Sequence, residues 1–217
     1  MSADDLDRLK VHRRELVFDG ERFTVLSPRP ATEVRFATNH HHDTWHVISD
    51  VRSARFLGRV MWAMAFQRSS PTIFAIDREF LLPNPFDAEP SDPIVVVNSD
   101  LATPSDDGFG ALRSSLPLAA MPSGGTVRLQ TRGLAVARDD PEGYQKSAAE
   151  SQPRWDPRLQ HRWIRRTDGM VALAAPPTVL RDWALTLSTR PSQDGEIQVL
   201  ENFTGRVERA IAERDTS

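Results

Sequence analysis

The sequence predicts an α+β fold: a largely antiparallel or mixed sheet built from N-terminal β-hairpins, with a buried central helix and two C-terminal amphipathic helices. Three observations carry that expectation. Asp19-Gly20 and Asp168-Gly169 each separate two short apolar-rich segments, the pattern of a two-residue hairpin turn. The segment after Asp50 repeats its apolar residues at helical spacing. Hairpins mixed with a few helices argue against a doubly wound parallel sheet, in which strand and helix alternate regularly.

Taken in order, Glu15-Leu16-Val17-Phe18 and Glu21-Arg22-Phe23-Thr24-Val25-Leu26 form the first hairpin, closed by Asp19-Gly20. Ser27-Pro28-Arg29-Pro30 breaks the chain. The second hairpin pairs residues 33–38 with 45–49 around a histidine-rich loop, with Val34, Phe36, Trp45 and Val47 on the core faces. Asp50 caps a helix reaching to about Gln67, whose stripe of Phe56, Leu57, Val60, Met61 and Met64 is widened by Trp62 and Phe66. Buried strands follow at residues 72–76 and 94–98, joined by a Pro-rich connection from Leu82 to Pro93. A short helix within residues 108–118 and a strand over 126–130 complete the middle. Residues 138–158, polar and without periodicity, predict a long mobile loop. Trp163 to Thr167 and Met170 to Ala174 make a third hairpin. Pro176-Pro177 opens a helix carrying Val179, Leu180, Trp183 and Leu187, and Ile197, Leu200, Phe203, Val207 and Ile211 mark a last amphipathic helix. One domain over residues 1–217 is expected, because the segment from Gln160 to Ser217 is too small to bury much core alone.

Composition narrows the chemistry. An apolar content of 39% with 26% charged residues suits a globular chain with a core of ordinary size. Zero cysteines exclude disulfides, thiolate metal sites and cysteine nucleophiles, and fit a reducing compartment. The stretch Met1 to Asp7 is acidic and polar, unlike a secretory leader, and no apolar run approaches the roughly 20 residues of a membrane span. The expectation is a soluble, cytoplasmic protein. A net charge of −3 supplies no global attraction for nucleic acid or an anionic membrane. Lys10 and Lys146 are the only lysines among 27 basic residues, but the arginines are scattered along the chain. There is no phosphate-binding Gly-x-x-x-x-Gly-Lys-Ser/Thr loop, no dinucleotide fingerprint and no Gly-x-Ser-x-Gly elbow.

Three groups of residues remain as candidates. Four of the six histidines fall within seven residues, from His40 to His46, and neutral imidazole is the commonest metal ligand. His40, His42 and His46 are the candidate metal ligands, with Asp43 beside them; convergence depends on how the loop folds, and a solvated hairpin tip is the competing expectation. Asp77 and Asp100 end apolar strands, with Glu79 close to the first, and carboxylates there can serve acid–base work or simply satisfy turn backbone. His12 and His161 are isolated. The third group is Arg154, Trp155, Arg158, Arg162, Arg165 and Arg166, basic residues interleaved with tryptophan as in single-strand nucleic-acid or phosphate binders, or else the solvated face of a strand.

No complete catalytic constellation emerges. The leading expectation is therefore a non-catalytic cytoplasmic binding, regulatory or accessory domain whose partner is a protein or small molecule, with neither nucleic acid nor membrane. A metal-dependent hydrolase or oxygenase using His40, His42 and His46, with a divalent metal as cofactor and Asp77 or Asp100 as base, is the alternative. A phosphate or nucleic-acid binder acting through residues 154–166 is the third reading.

Overall fold

The computed structural model describes residues 8–42, 44–68, 71–101, 103–150, 162–189 and 198–199. Its fold is α+β, as expected, with helices and strands mixed along the chain. The strands are β1 (Arg8–Phe18), β2 (Glu21–Ser27), β3 (Phe36–His41), β4 (Thr44–Ser49), β5 (Thr72–Ile76), β6 (Ile94–Asn98), β7 (Thr126–Gln130), β8 (Trp163–Thr167), β9 (Met170–Ala175) and β10 (Gln198–Val199). The helices are α1 (Val51–Ala65), α2 (Asp106–Ser114), α3 (Leu134–Asp139), α4 (Pro141–Glu150) and α5 (Pro177–Thr189). Seven strands form one sheet in the order β7-β1-β2-β5-β6-β9-β8, and β10-β4-β3 form a small second sheet. The large sheet is mixed: β2 with β5 and β6 with β9 run parallel, and its other neighbours antiparallel.

The hairpin turns form for the reason their sequences imply. Asp19 and Gly20 adopt φ of 55° and 72°, and Asp168 and Gly169 adopt 47° and 68°. Both central residues of such a turn need positive φ, which Asp tolerates and Gly adopts freely. Asp19 also accepts hydrogen bonds from the Ser105 backbone N–H at 2.8 Å and from its hydroxyl. Ser105 in turn caps α2 by accepting from Gly108 N at 3.0 Å, so the first turn is tied to the helix covering its strands.

The large sheet is covered on both faces. One face, carrying Val11, Leu26, Phe74, Ile76, Ile94, Val96 and Leu173, packs against α1 and α5. The other, carrying Phe18, Phe23, Val25, Ile73, Val95, Val97 and Ala172, packs against Phe109 and Leu112 of α2 and against Leu118. Every residue of β5, β6 and β9 is buried, which explains why those segments read as unbroken apolar runs. Asp50 caps α1 by accepting from Ser53 N at 2.6 Å. Along α1, Leu57, Val60, Met61, Trp62 and Met64 are all buried. The helix meets α5 at Gly58, where a Cβ would lie 2.9 Å from the Ala184 carbonyl oxygen and 2.7 Å from Ser188 Oγ.

Two expectations need correction. Where a mobile loop was expected over 138–158, Pro141–Glu150 is helical and α3 extends to Asp139. Asp140 accepts from Gly143 N at 2.9 Å, Pro141 opens the helix, and Tyr144 packs on Trp62 with ring centroids 5.5 Å apart. That docking, which also raises the Tyr144 phenol pKa by burial, supplies the anchor that local periodicity lacked. Residues 151–158 lie outside the described residues. In the expected last helix, Gln198–Val199 instead pair antiparallel with β4, and Leu200 to Ile211 lie outside the described residues.

Gly58→Ala is expected to destabilise the protein by about 1–3 kcal/mol, because the new methyl meets backbone that cannot move aside. Urea denaturation of the variant and parent measures the difference.

Candidate functional site

The β3–β4 hairpin is tighter than its sequence implied. β3 continues through His41, β4 begins at Thr44, and His42 takes a left-handed φ of 48° at the turn. Asp43 lies outside the described residues. The register sets His40 opposite Trp45 and Asn39 opposite His46. Alternation therefore places His40 and Trp45 on one face of the hairpin and His46 on the other. His40 and Trp45 pack with ring centroids 4.9 Å apart and planes tilted by 36°. His46 is buried, with Nε2 3.3 Å from the His41 carbonyl oxygen, an acceptor for an imidazole N–H. The His41 and His42 rings are in contact, with centroids 3.9 Å apart and planes tilted by 59°. The hairpin thus separates His40, His42 and His46, and among the described residues no group of three or more metal-ligating side chains is placed to hold an ion.

The structure brings His40 to a different set of partners. Thr38, Asn39, His40 and Trp45 line a cleft of about 330 Å³ together with Asn84, Asp87, Glu89, Pro90, Asp92 and Arg166. Its far wall is the Pro-rich connection between β5 and β6, fastened to β3 along its length. Leu82 N donates to Phe36 O at 2.7 Å, and Asn84 Nδ2 donates to Asn39 Oδ1 at 2.9 Å. Ser91 Oγ accepts from Thr38 N at 3.0 Å and donates to Leu82 O at 2.6 Å, while Asp92 N donates to Thr38 Oγ1 at 2.8 Å. Within the connection, Ala88 N donates to Asn84 O and Asn84 N to Glu89 O, both at 2.8 Å, and Ala88 sits at φ 61°. These bonds hold the acidic residues in place against the aromatic pair.

Arg166 closes the cleft from β8. Its Nε donates to Asp92 Oδ2 at 2.6 Å and its Nη2 to Asp92 Oδ1 at 3.3 Å. The hydrogen bond and charge of Asp92 hold Arg166 further above its ordinary pKa. Arg165, on the opposite strand face, lies 4.4 Å over the Trp163 ring and pairs with Asp106 at 3.2 Å. The two arginines are thus each matched to a carboxylate from another element and do not form a continuous basic strip. Arg162 is half-buried just before β8. Arg154, Trp155, Arg158 and His161 lie outside the described residues.

Of the strand-end carboxylates, Asp77 serves the backbone. Asp77 is buried, and its two oxygens accept from Arg78 N and Leu118 N, each at 2.6 Å. Glu79 and Asp100 are exposed, and Asp100 N donates to Asn98 Oδ1 at 3.1 Å. The residues that sequence reasoning passed over are Asn84, Asp87, Glu89 and Asp92. Their signal was three carboxylates within a proline-rich connection of a dozen residues, a length at which connections commonly carry function.

Fold and site together define an α+β protein with an acidic, aromatic-walled cleft. No protein family, curated protein or solved structure matches this chain.

Asn84→Ala is expected to cost about 1–3 kcal/mol, since it strips partners from Asn39 Oδ1 and Phe86 N at a buried position. Denaturant melts give the loss, and amide exchange at Phe86 and Ala88 accelerates more than exchange in β6.

Proposed function

We propose that the chain is a non-catalytic binding protein whose cleft takes a small ligand bearing a positively charged nitrogen, an amine or guanidinium. The observation that carries this reading is the juxtaposition of the Asp87 and Glu89 carboxylates with the packed His40–Trp45 pair in one cleft. Asp92 and Arg166 neutralise one another, so the remaining carboxylates leave the cleft with net negative charge. A cation entering it meets carboxylates on the loop side and an aromatic face on the hairpin side, and cation–π attraction contributes roughly 0.5–2 kcal/mol depending on desolvation. The fastened loop supports binding by a preformed site, in which little ordering entropy is lost on association.

Binding without catalysis is supported by how Asp77, one of the two candidate bases, and Asp92 of the cleft are used. Asp92 is engaged by a guanidinium and Asp77 by two backbone N–H groups. A cytoplasmic location accords with the complete absence of cysteine.

Titration of ¹⁵N-labelled protein with butylamine and with arginine, against butanol and glutarate as neutral and anionic controls, tests the proposal. The cations shift the Trp45 indole and the amides of Asp87 and Glu89, and the controls leave them unmoved. Glu89→Gln weakens binding by about fivefold to tenfold and Trp45→Ala by a similar factor. Equal response to the controls, or affinities unchanged in both variants, refutes it.

A further inference from the structure

Arg14 is a buried cation without a counterion. It extends from β1 on the sheet face that carries Phe18, and it is only 5% exposed. Its Nη1 donates to Ser27 Oγ at 3.0 Å, while its Nε is buried with no hydrogen-bond partner. Among the described residues no carboxylate forms an ion pair with it. Arg29, two residues past Ser27, repeats the situation with a buried, unpartnered Nε. His12 stands directly opposite Ser27 in the β1–β2 register, on the same strand face as Arg14. Burial first, then the charges of Arg14 and Arg29, hold the His12 imidazole below its ordinary pKa, with exposed Glu79 acting weakly the other way. His12 and Arg14 thus flank Ser27 on one strand face, with Arg29 near enough for its charge to act on His12.

Their position in the sheet gives this grouping a direction. β2 and β5 are parallel, and Ser27 and Asp77 mark their carboxyl ends. Ligands in sheets with parallel strands gather outside those ends, where loops diverge. The cationic charge is not consumed by Asp77, whose oxygens are taken by Arg78 N and Leu118 N. A buried guanidinium with one satisfied donor is a costly arrangement unless an anion completes it, and the planar fork of arginine fits phosphate oxygens well. None of these residues lines the acidic cleft, so this cluster is separate from it.

We propose that His12, Arg14, Ser27 and Arg29 form a binding site for a single oxyanion of the phosphate class, either free phosphate or a phosphate monoester. The anion accepts from the free guanidinium donors of Arg14 and Arg29 and from the His12 imidazole, and it supplies the negative charge that the fold leaves out.

The test is thermal melting of the full chain in inorganic phosphate, matched in ionic strength with sodium chloride, beside an NMR titration of the His12 ring. At a tenfold excess over Kd the melting temperature rises by about 3–5 °C, and the His12 pKa moves up toward its ordinary value. Arg14→Met removes both responses, and because it deletes an uncompensated buried charge it melts in chloride no lower than the parent. Arg29→Gln, at a half-buried position, weakens both responses in a fold left intact, so the result does not hang on Arg14→Met folding. Phenyl phosphate separates the two sources: a matching response shows a site open to esters, and a response to inorganic phosphate alone shows one closed around the free anion. Melting that follows ionic strength alone, or phosphate responses undiminished in both variants, overturns the site.

Discussion

β5, β6 and β9 have no water on either face, and almost everything else in the molecule is arranged to keep it so. Each of these strands presents one set of side chains to α1 and α5 and the alternate set to α2 and the segment around Leu118. Each of these fully buried strands also has a hydrogen-bonded neighbour on either side. The antiparallel pairs β1–β2 and β8–β9 therefore flank the middle of the sheet, with β7 beyond β1. Apolar burial at roughly 25 cal/mol per Å² supplies the main driving force, and the two layers allow it to be collected on both sides of the same backbone. Close approach at Gly58 lets α1 and α5 cover one face as a continuous slab.

The cleft follows from that arrangement by way of the β5–β6 connection. β5 and β6 are adjacent and antiparallel, yet a long segment joins them instead of a tight turn. Such a segment must satisfy its own backbone groups somewhere. It does so against β3, through Thr38, Asn39, Phe36 and Ser91, and thereby ties the small sheet to the large one. The polar lining of the cleft and the mechanical connection between the two sheets are the same set of hydrogen bonds. The cleft-lining side chains of the connection stand within one residue of a bond that supports the fold.

How much of this the sequence revealed depended on the range of the interaction involved. Asp19-Gly20 and Asp168-Gly169 were legible because a two-residue turn is a local requirement on φ. The apolar strands and the periodic helix α1 were legible because burial writes a continuous pattern. The parallel pairing of β2 with β5 leaves no mark on either strand, since it is a contact between segments far apart in the chain. α4 escaped because its docking is a tertiary contact, Tyr144 on Trp62, that leaves no local pattern. At the cleft, His40 and Arg166 each stood out within its own segment, and nothing local showed that they share a wall. Asp87, Glu89 and Asp92 were visible as acidic residues but read as part of a connection, because their role depends on what β3 brings opposite them. In the histidine segment, residue type suggested a metal while strand alternation set the imidazoles apart.

β8 ends the large sheet, and among the described residues its hydrogen-bonded neighbour is β9. An outermost strand offers backbone donors and acceptors to any extended chain that drifts past, the first step toward unwanted sheet growth. This one places two adjacent arginines near its midpoint, one held over Trp163 and bonded to Asp106, the other clamped by Asp92. Fixed on opposite faces, they present bulky, hydrated charge to a passing strand and make addition to this border unfavourable. Residues that looked from the sequence like a handle for other molecules thereby also act as the sheet's fence.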